Sequence, residues 1–393
     1  MPSSTVRLQI TPSFDLHAAA SLCDYLRELG AGAVYLSPIL QSAGGSQHGY
    51  DVVDFSRIDS ARGGDAGWQA FLAAAREHEL DVVVDIVPNH TGVAEASENA
   101  QWWAVLRDGP ASPCARWFDI DWSRGKVLLP VLGDDFDPAR DLTVVDDELR
   151  YDEHRFPVAP GTGGGSPVDV HARQHYELVS YRRADTEQNY RRFFAVTTLA
   201  GLRVEDPAVF DATHRKVLRW VREDGVAGVR VDHPDGLVDP LAYLRRLHEA
   251  ANTAWLLVEK ILEPGETLPS SWPVAGTTGY DALAEVTNVL IDPAAERALD
   301  TIYRELTGDE RSFDEHVEAG KRLVATTILR AEVLRMARLA DVDGIADALT
   351  ELLVAFPVYR SYLPEGADWL SHALRQVRGL RPDLAPALAA LAP

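Results

Sequence analysis

The chain has 393 residues, 46% of them hydrophobic, and a formal charge of −22. That length can bury a substantial core in one large domain or two, and the acidity argues against a nucleic-acid partner, because phosphate binding needs a basic face. No apolar run approaches the ~18 residues of a membrane span, and the opening Met-Pro-Ser-Ser-Thr lacks the basic start and apolar segment of a secretory signal.

Six short apolar runs read as barrel-type strands: Val6–Ile10, Ala33–Leu36, Val82–Val87, Val226–Val231, Trp255–Val258 and Leu353–Val358. Runs of this length suit parallel strands buried on both faces. Between the first three, His17–Leu29 and Ala66–His78 carry helical spacing at the distances of βα units. The third connection, Thr91 to about Gly225, is far too long for one helix. Within it Gly161-Thr-Gly-Gly-Gly-Ser-Pro is a flexible loop by composition. Asp239 to Asn252, with Leu241, Leu244, Leu247 and Ala251 at helical spacing, leaves room for one crossover helix. From about Val286 to Thr350 the chain is helix-like, highly charged and without a chemical motif. The tail, Arg381 to Pro393, predicts a short amphipathic helix. Cys23 and Cys114 share no metal or redox spacing, which fits a reducing, cytoplasmic setting.

Polar groups sit at the ends of these runs. Gly228-Val-Arg-Val-Asp-His ends in Arg230, Asp232 and His233, and Leu256-Leu-Val-Glu-Lys brings Glu259. Asp85-Ile-Val-Pro-Asn-His adds Asp85, Asn89 and His90, and His48-Gly-Tyr-Asp adds Tyr50. A single carboxylate after a strand is ordinary loop charge. Recurrence at successive strand ends is what points to a pocket. Two carboxylates at the C-terminal ends of neighbouring parallel strands face each other across it. That is the minimum for retaining glycoside chemistry, with nucleophile and acid/base roughly 5–5.5 Å apart. Arg230, two residues before Asp232, shares its side of the strand and would orient and ionise it. Glu259 needs a raised pKa for its acid step, supplied by ionised Asp232 and apolar neighbours. The pairs Arg182-Arg183 and Arg191-Arg192 read as solvated or carboxylate-paired, not as a phosphate site.

Gly-Tyr-Asp after the second strand, Asp-xxx-Asn-His on the third, Gly-x-Arg-x-Asp-His on the fourth and Glu on the fifth resemble the α-amylase superfamily (glycoside hydrolase family 13) of (β/α)8 enzymes. Longer stretches resemble its malto-oligosyltrehalose synthase branch, the glucan α-1,4-to-α-1,1 mutases. They include Tyr35-Leu-Ser-Pro, Tyr190-Arg-Arg-Phe-Phe, Leu199-Ala-Gly-Leu-Arg-Val-Glu-Asp, Val258-Glu-Lys-Ile-Leu and Trp272-Pro-Val-Ala-Gly-Thr-Thr-Gly-Tyr-Asp, and the likeness runs to at least Tyr362. The resemblance implies an α/β TIM-barrel fold with an insertion after strand three and a helical insertion before strand six. It implies Asp232 as nucleophile and Glu259 as acid/base. Tyr50 would be the aromatic platform, with His90 and His233 as sugar-hydroxyl ligands. Arg230, Asp85 and Asn89 would support the site, and Trp272 and Tyr280 would belong to its closing wall. The implied partner is a malto-oligosaccharide; that chemistry needs neither cofactor nor metal, and the sequence offers no calcium cage.

The expected boundaries are 1–90 for the first barrel portion, 91–225 for a B-type insertion and return helix, 226–285 for strands four and five, 286–350 for the helical insertion, and 351–393 for strand six and terminal helices. A closed barrel of this kind needs further strands, and no His-Asp dipeptide offers a third carboxylate. The chain is therefore expected to resemble an N-terminal portion, completed by a companion chain. The competing expectations are an α-glucan hydrolase and a non-catalytic fragment.

Overall fold

The structure, a computed structural model, describes residues 2–252 and 255–392. Met1 of the expected first barrel portion, Thr253 and Ala254 between the crossover helix and the fifth strand, and Pro393 of the tail lie outside the described residues. The chain divides into two compact units, one of residues 1–259 and 270–276, the other of 260–269 and 277–393.

The first unit is organised by one sheet. Its strands are β1 (Thr5–Leu8), β2 (Ala33–Leu36), β3 (Asp81–Ile86), β4 (Gly228–Val231) and β5 (Trp255–Val258), hydrogen-bonded in chain order. All four successive pairings among them are parallel. The central strands are buried nearly throughout, as continuous Val-rich runs require when both faces are covered. Gly228 is needed where β4 meets β5, since a Cβ there would lie 2.6 Å from the Trp255 ring. A sixth element, β6 (Gly276–Thr277), continues the sheet beyond β5.

The connections follow the local chemistry. The crossover helix Pro240–Ala251 starts with Pro at its first position behind Asp239, whose carboxylate accepts from the Ala242 amide, and stops at left-handed Asn252. Gly64–Glu77 forms the second βα helix. The segment expected as one helix, His17–Leu29, is instead two, Leu16–Ala20 and Cys23–Glu28. The Ser21 hydroxyl donates to the Ala18 carbonyl at the break, offering the backbone an alternative partner. Between β3 and the return helix Pro207–Arg219, the chain forms small sheets outside the main one, including the parallel pair Val127–Leu132 and Tyr176–Ser180.

One strand expectation is overturned. Leu353–Val358 is not a barrel strand: Leu353 to Ala355 end the helix Ile345–Ala355, and Phe356–Val358 belong to no strand. A short apolar run at the end of a buried helix has the same composition as a buried strand.

The second unit is helical. Ile345–Ala355, Ala367–Leu380 and Ala385–Ala390 share a core that includes Ala348, Leu352, Leu374, Val377 and Leu388. The last of these helices falls where the tail predicted one. Tyr280–Val289, Glu296–Thr307, Phe313–Thr326 and Arg330–Ala337 occupy most of the stretch read as a charged helical insertion.

Candidate active site

The register of three strands builds the site. Arg230 on β4 pairs with Asp85 on β3, and Val231 pairs with both Ile86 on β3 and Val258 on β5. One residue further, the Asp232 amide donates to the Ile86 carbonyl and the Glu259 amide to the Val231 carbonyl, each at 2.9 Å. Asp232 and Glu259 therefore stand level at the C-terminal ends of adjacent parallel strands.

Arg230 is the hub. Its Nη1 donates to Asp85 Oδ1 at 2.8 Å and to Asp232 Oδ1 at 2.7 Å. The expected sharing of one strand side is met. Asp85 is wholly buried and also accepts from the Tyr50 hydroxyl at 2.6 Å and the Tyr35 hydroxyl at 2.8 Å. Arg7 on β1 donates to the Tyr50 oxygen, and the Arg230 guanidinium lies 5.9 Å from the centre of the Tyr50 ring. Four strands thus fix one carboxylate–guanidinium–carboxylate row, and the tyrosines, whose pKa values burial raises, stay protonated donors.

Burial dominates the titration of this row. It pushes Asp232 up to about 7, with Asp85 and Glu259 adding to the rise and Arg230 opposing it. Glu259, half-buried, is also raised, first by burial; Arg230 and the His233 amide, which donates to its Oε2 at 3.2 Å, pull the other way. Asp85 is raised by burial too, against Arg230 and the two tyrosines. The expectation that Arg230 would hold Asp232 fully ionised is thus outweighed by desolvation.

An imidazole pair lies on the neighbouring connections. Buried His90 follows β3; its Nε2 lies 3.1 Å from the Tyr50 carbonyl oxygen, and burial first, then His233, push its pKa down to about 3, so it is neutral. The Phe193 ring lies 4.6 Å from that of His90 and 5.0 Å from that of His233, and Phe194 lies 5.3 Å from His233. His233 and Phe194 both hold left-handed backbone, at φ 46° and 47°, a costly state for such side chains that clusters at functional sites. Asn89 is buried and accepts from Arg191 at 2.8 Å; Arg191 also donates to the carbonyls of Gly236 and Leu202. Gly236 has no room for a Cβ, which would collide with Asn89 and His233.

Eight of the ten residues singled out from sequence meet in this unit's strand-end cluster: Asp232, Glu259, Tyr50, His90, Arg230, His233, Asp85 and Asn89. Trp272 is buried in the same unit, on the segment leading to β6. Tyr280 belongs to the second unit, where it opens a helix and is 43% exposed. Tyr35, Arg7, Arg191, Phe193 and Phe194 were missed as site residues. Tyr35 and Arg7 share the strand-side alternation that marked Arg230, while Arg191, read as solvated or carboxylate-paired, does lie 3.7 Å from an Asp119 carboxylate oxygen. Arg182 and Arg183 do pair with carboxylates, Asp134 and Glu187. Among the described residues no group of three or more His, Cys, Asp or Glu could hold a metal ion.

The α-amylase catalytic-domain model matches residues 13–240. The chain belongs to the α-amylase family. A Mycobacterium tuberculosis protein carrying the provisional name maltooligosyl trehalose synthase is 43% identical over 99% of the chain. The solved maltooligosyltrehalose synthase from Arthrobacter ramosus is 54% identical and superposes over all of it with a TM-score of 0.97. A Sulfolobus tokodaii structure described as a hypothetical maltooligosyl trehalose synthase superposes at 0.85 with 31% identity. The chain spans about half the length of these relatives, 52% of the first two and 55% of the third. The branch that the long motifs resembled is among those the chain is similar to, and this similarity runs over the whole chain, past the strand-end cluster. No helix among the described residues is long and apolar enough to cross a membrane.

Proposed function

We propose that this chain carries the carboxylate pair of an intramolecular transglucosylase, which turns the reducing-end α-1,4 linkage of a malto-oligosaccharide into an α,α-1,1 linkage with retention. Glu259 protonates the glycosidic oxygen as the bond breaks, and Asp232 attacks the anomeric carbon to form a glycosyl-enzyme. Glu259, now a base, takes the proton from the anomeric hydroxyl of the freed glucose, which has turned within the site. That oxygen displaces Asp232, and the product has no reducing end. His90 and His233 would hold ring hydroxyls of the sugar stacked on the Tyr50 ring, and Phe193 and Phe194 would help keep out the water that otherwise gives hydrolysis.

The observation that carries this reading is the level pair of carboxylates on β4 and β5, one braced by Arg230 and the other by the His233 amide. The similarity of the whole chain to about half of each named synthase supports the mutase over other family reactions. Asp232 must be ionised to attack, so turnover is expected to climb as pH rises through about 7. The test is maltopentaose incubated with the protein, with reducing ends and anomeric proton signals followed together. Loss of reducing ends with a new α,α-1,1 signal supports the mutase; a gain in reducing ends identifies a hydrolase.

A further inference from the structure

Tyr50 closes a loop, 43–50, that forms neither helix nor strand and is exposed at Gly44, Gly45, Gln47 and His48. Its position is nonetheless fixed at two points: the hydroxyl donates to Asp85, and the carbonyl oxygen lies 3.1 Å from His90 Nε2. Some of the order is internal to the loop. The Ser46 hydroxyl accepts from the Gly49 amide at 3.1 Å and donates to Asp51 at 2.6 Å. Gly49 has φ 82°, and a Cβ there would lie 2.5 Å from the Pro38 carbonyl oxygen, so only glycine fits. On the solvent side Gln9 donates to the Gln47 and His48 carbonyls, and Glu98 accepts from the Gly44 amide. Exposed bonds of this kind each contribute only about 0.5–1.5 kcal/mol.

The buried attachment is a cation. Arg62, at the end of the turn Ser60–Arg62, is fully buried. Its Nη2 donates to the Ser46 carbonyl at 2.8 Å and to the Ser42 hydroxyl at 3.2 Å, and its Nη1 donates to the Ile10 carbonyl. Asp59, also buried, lies 3.4 Å from its Nε and accepts from the Ser42 hydroxyl at 2.7 Å. One planar fork thus ties the Tyr50 loop to the backbone just past β1 and to the hairpin strand Leu40–Ser42. Taking a guanidinium out of water is costly, and Asp59 alone would serve as its counter-charge. Reaching acceptors on three separate segments is what an assembling role requires. We propose that Arg62 is a positioning residue, which holds the 43–50 loop so that the Tyr50 ring stands where the sugar stacks. The inference rests on the reading of Tyr50 as the platform under that sugar.

The test is a double-mutant cycle on maltopentaose binding, read by calorimetric titration with Asp232→Asn in every chain so that no sugar turns over. Arg62→Lys keeps the charge but cannot reach all three acceptors at once, and should weaken binding about tenfold. Tyr50→Ala should weaken it about tenfold or more. With both changes together, Arg62→Lys should add less than about twofold to the loss from Tyr50→Ala, because it acts through that ring. Ser42→Ala removes one anchor and leaves the cation in place; it should show the same coupling with a loss of about threefold, and carries the test if Arg62→Lys does not fold. Amide exchange of the sugar-free chain checks the cause: residues 43–50 should exchange about tenfold faster in Arg62→Lys, with 81–86 at the parent rate. Equal losses with and without Tyr50, unchanged affinity in Arg62→Lys, or parent-like exchange at 43–50 would each overturn the inference and leave the platform reading standing. Parent affinity in Tyr50→Ala, or no binding by the parent, overturns the platform reading and the inference with it.

Discussion

The strand-end cluster and the helices Tyr280–Val289 and Glu296–Thr307 solve opposite problems. In the cluster, charge is buried and each polar group leans on another: Asp85 takes Arg230, Tyr35 and Tyr50, and Arg230 takes Asp85 and Asp232. In the helices, apolar side chains stand in water while the charges pair among themselves. In the first region substitution costs should be large and local. In the second the apolar side chains are exposed, so changes there should hardly affect the fold.

The largest effect should come from the carboxylates. Asp232→Asn is expected to lower turnover by more than about 10³-fold, and Glu259→Gln by about 10²–10⁴-fold; parent-like rates in either variant would remove it from the mechanism. Next is Arg230→Met, which leaves Asp85 and Asp232 buried without their counter-charge and should cost about 3–5 kcal/mol in denaturant unfolding. Leu256→Ala, deep in β5, should cost about 2–5 kcal/mol, whereas Leu306→Ala should stay within about 0.5 kcal/mol. Equal costs at those two positions would break the contrast between the regions.

A smaller effect is set by the sign of the Asp232 shift. Its folded pKa, about 7, lies above the ordinary carboxyl value of 3.8. Between those values the folded chain binds the extra proton, so this group's contribution to stability is fully present at low pH and is lost as pH rises through 7. Asp232→Asn should flatten that part of the stability–pH curve and raise the melting temperature above pH 7. An unchanged slope would mean that the carboxyl is not raised in the folded protein.

Much of this was legible in the residues. Val82–Val87, Val226–Val231 and Trp255–Val258 announced themselves because strands buried on both faces leave apolar runs, and their polar ends marked the site. The helix Pro240–Ala251 was readable from its spacing and from Asp239-Pro240 at its start. Leu353–Val358 was not, because Leu352 and Val354 are buried as helix residues and a run of that length carries no distinguishing period. Nor was β6, too short at two residues to have a pattern. Arg191 escaped because its partners, Asn89 and the carbonyls of Leu202 and Gly236, are far from it along the chain. The left-handed backbone at Phe194 has no sequence signal either, since a bulky aromatic disfavours it, whereas His233 is of a type that adopts it more readily.

The most direct test is the proton NMR spectrum of maltopentaose after incubation with this chain, using Asp232→Asn as the control. The account predicts an α,α-1,1 anomeric signal growing at the expense of the reducing-end signals, and absent with Asp232→Asn. Growth of reducing-end signals, or an unchanged spectrum, would contradict it.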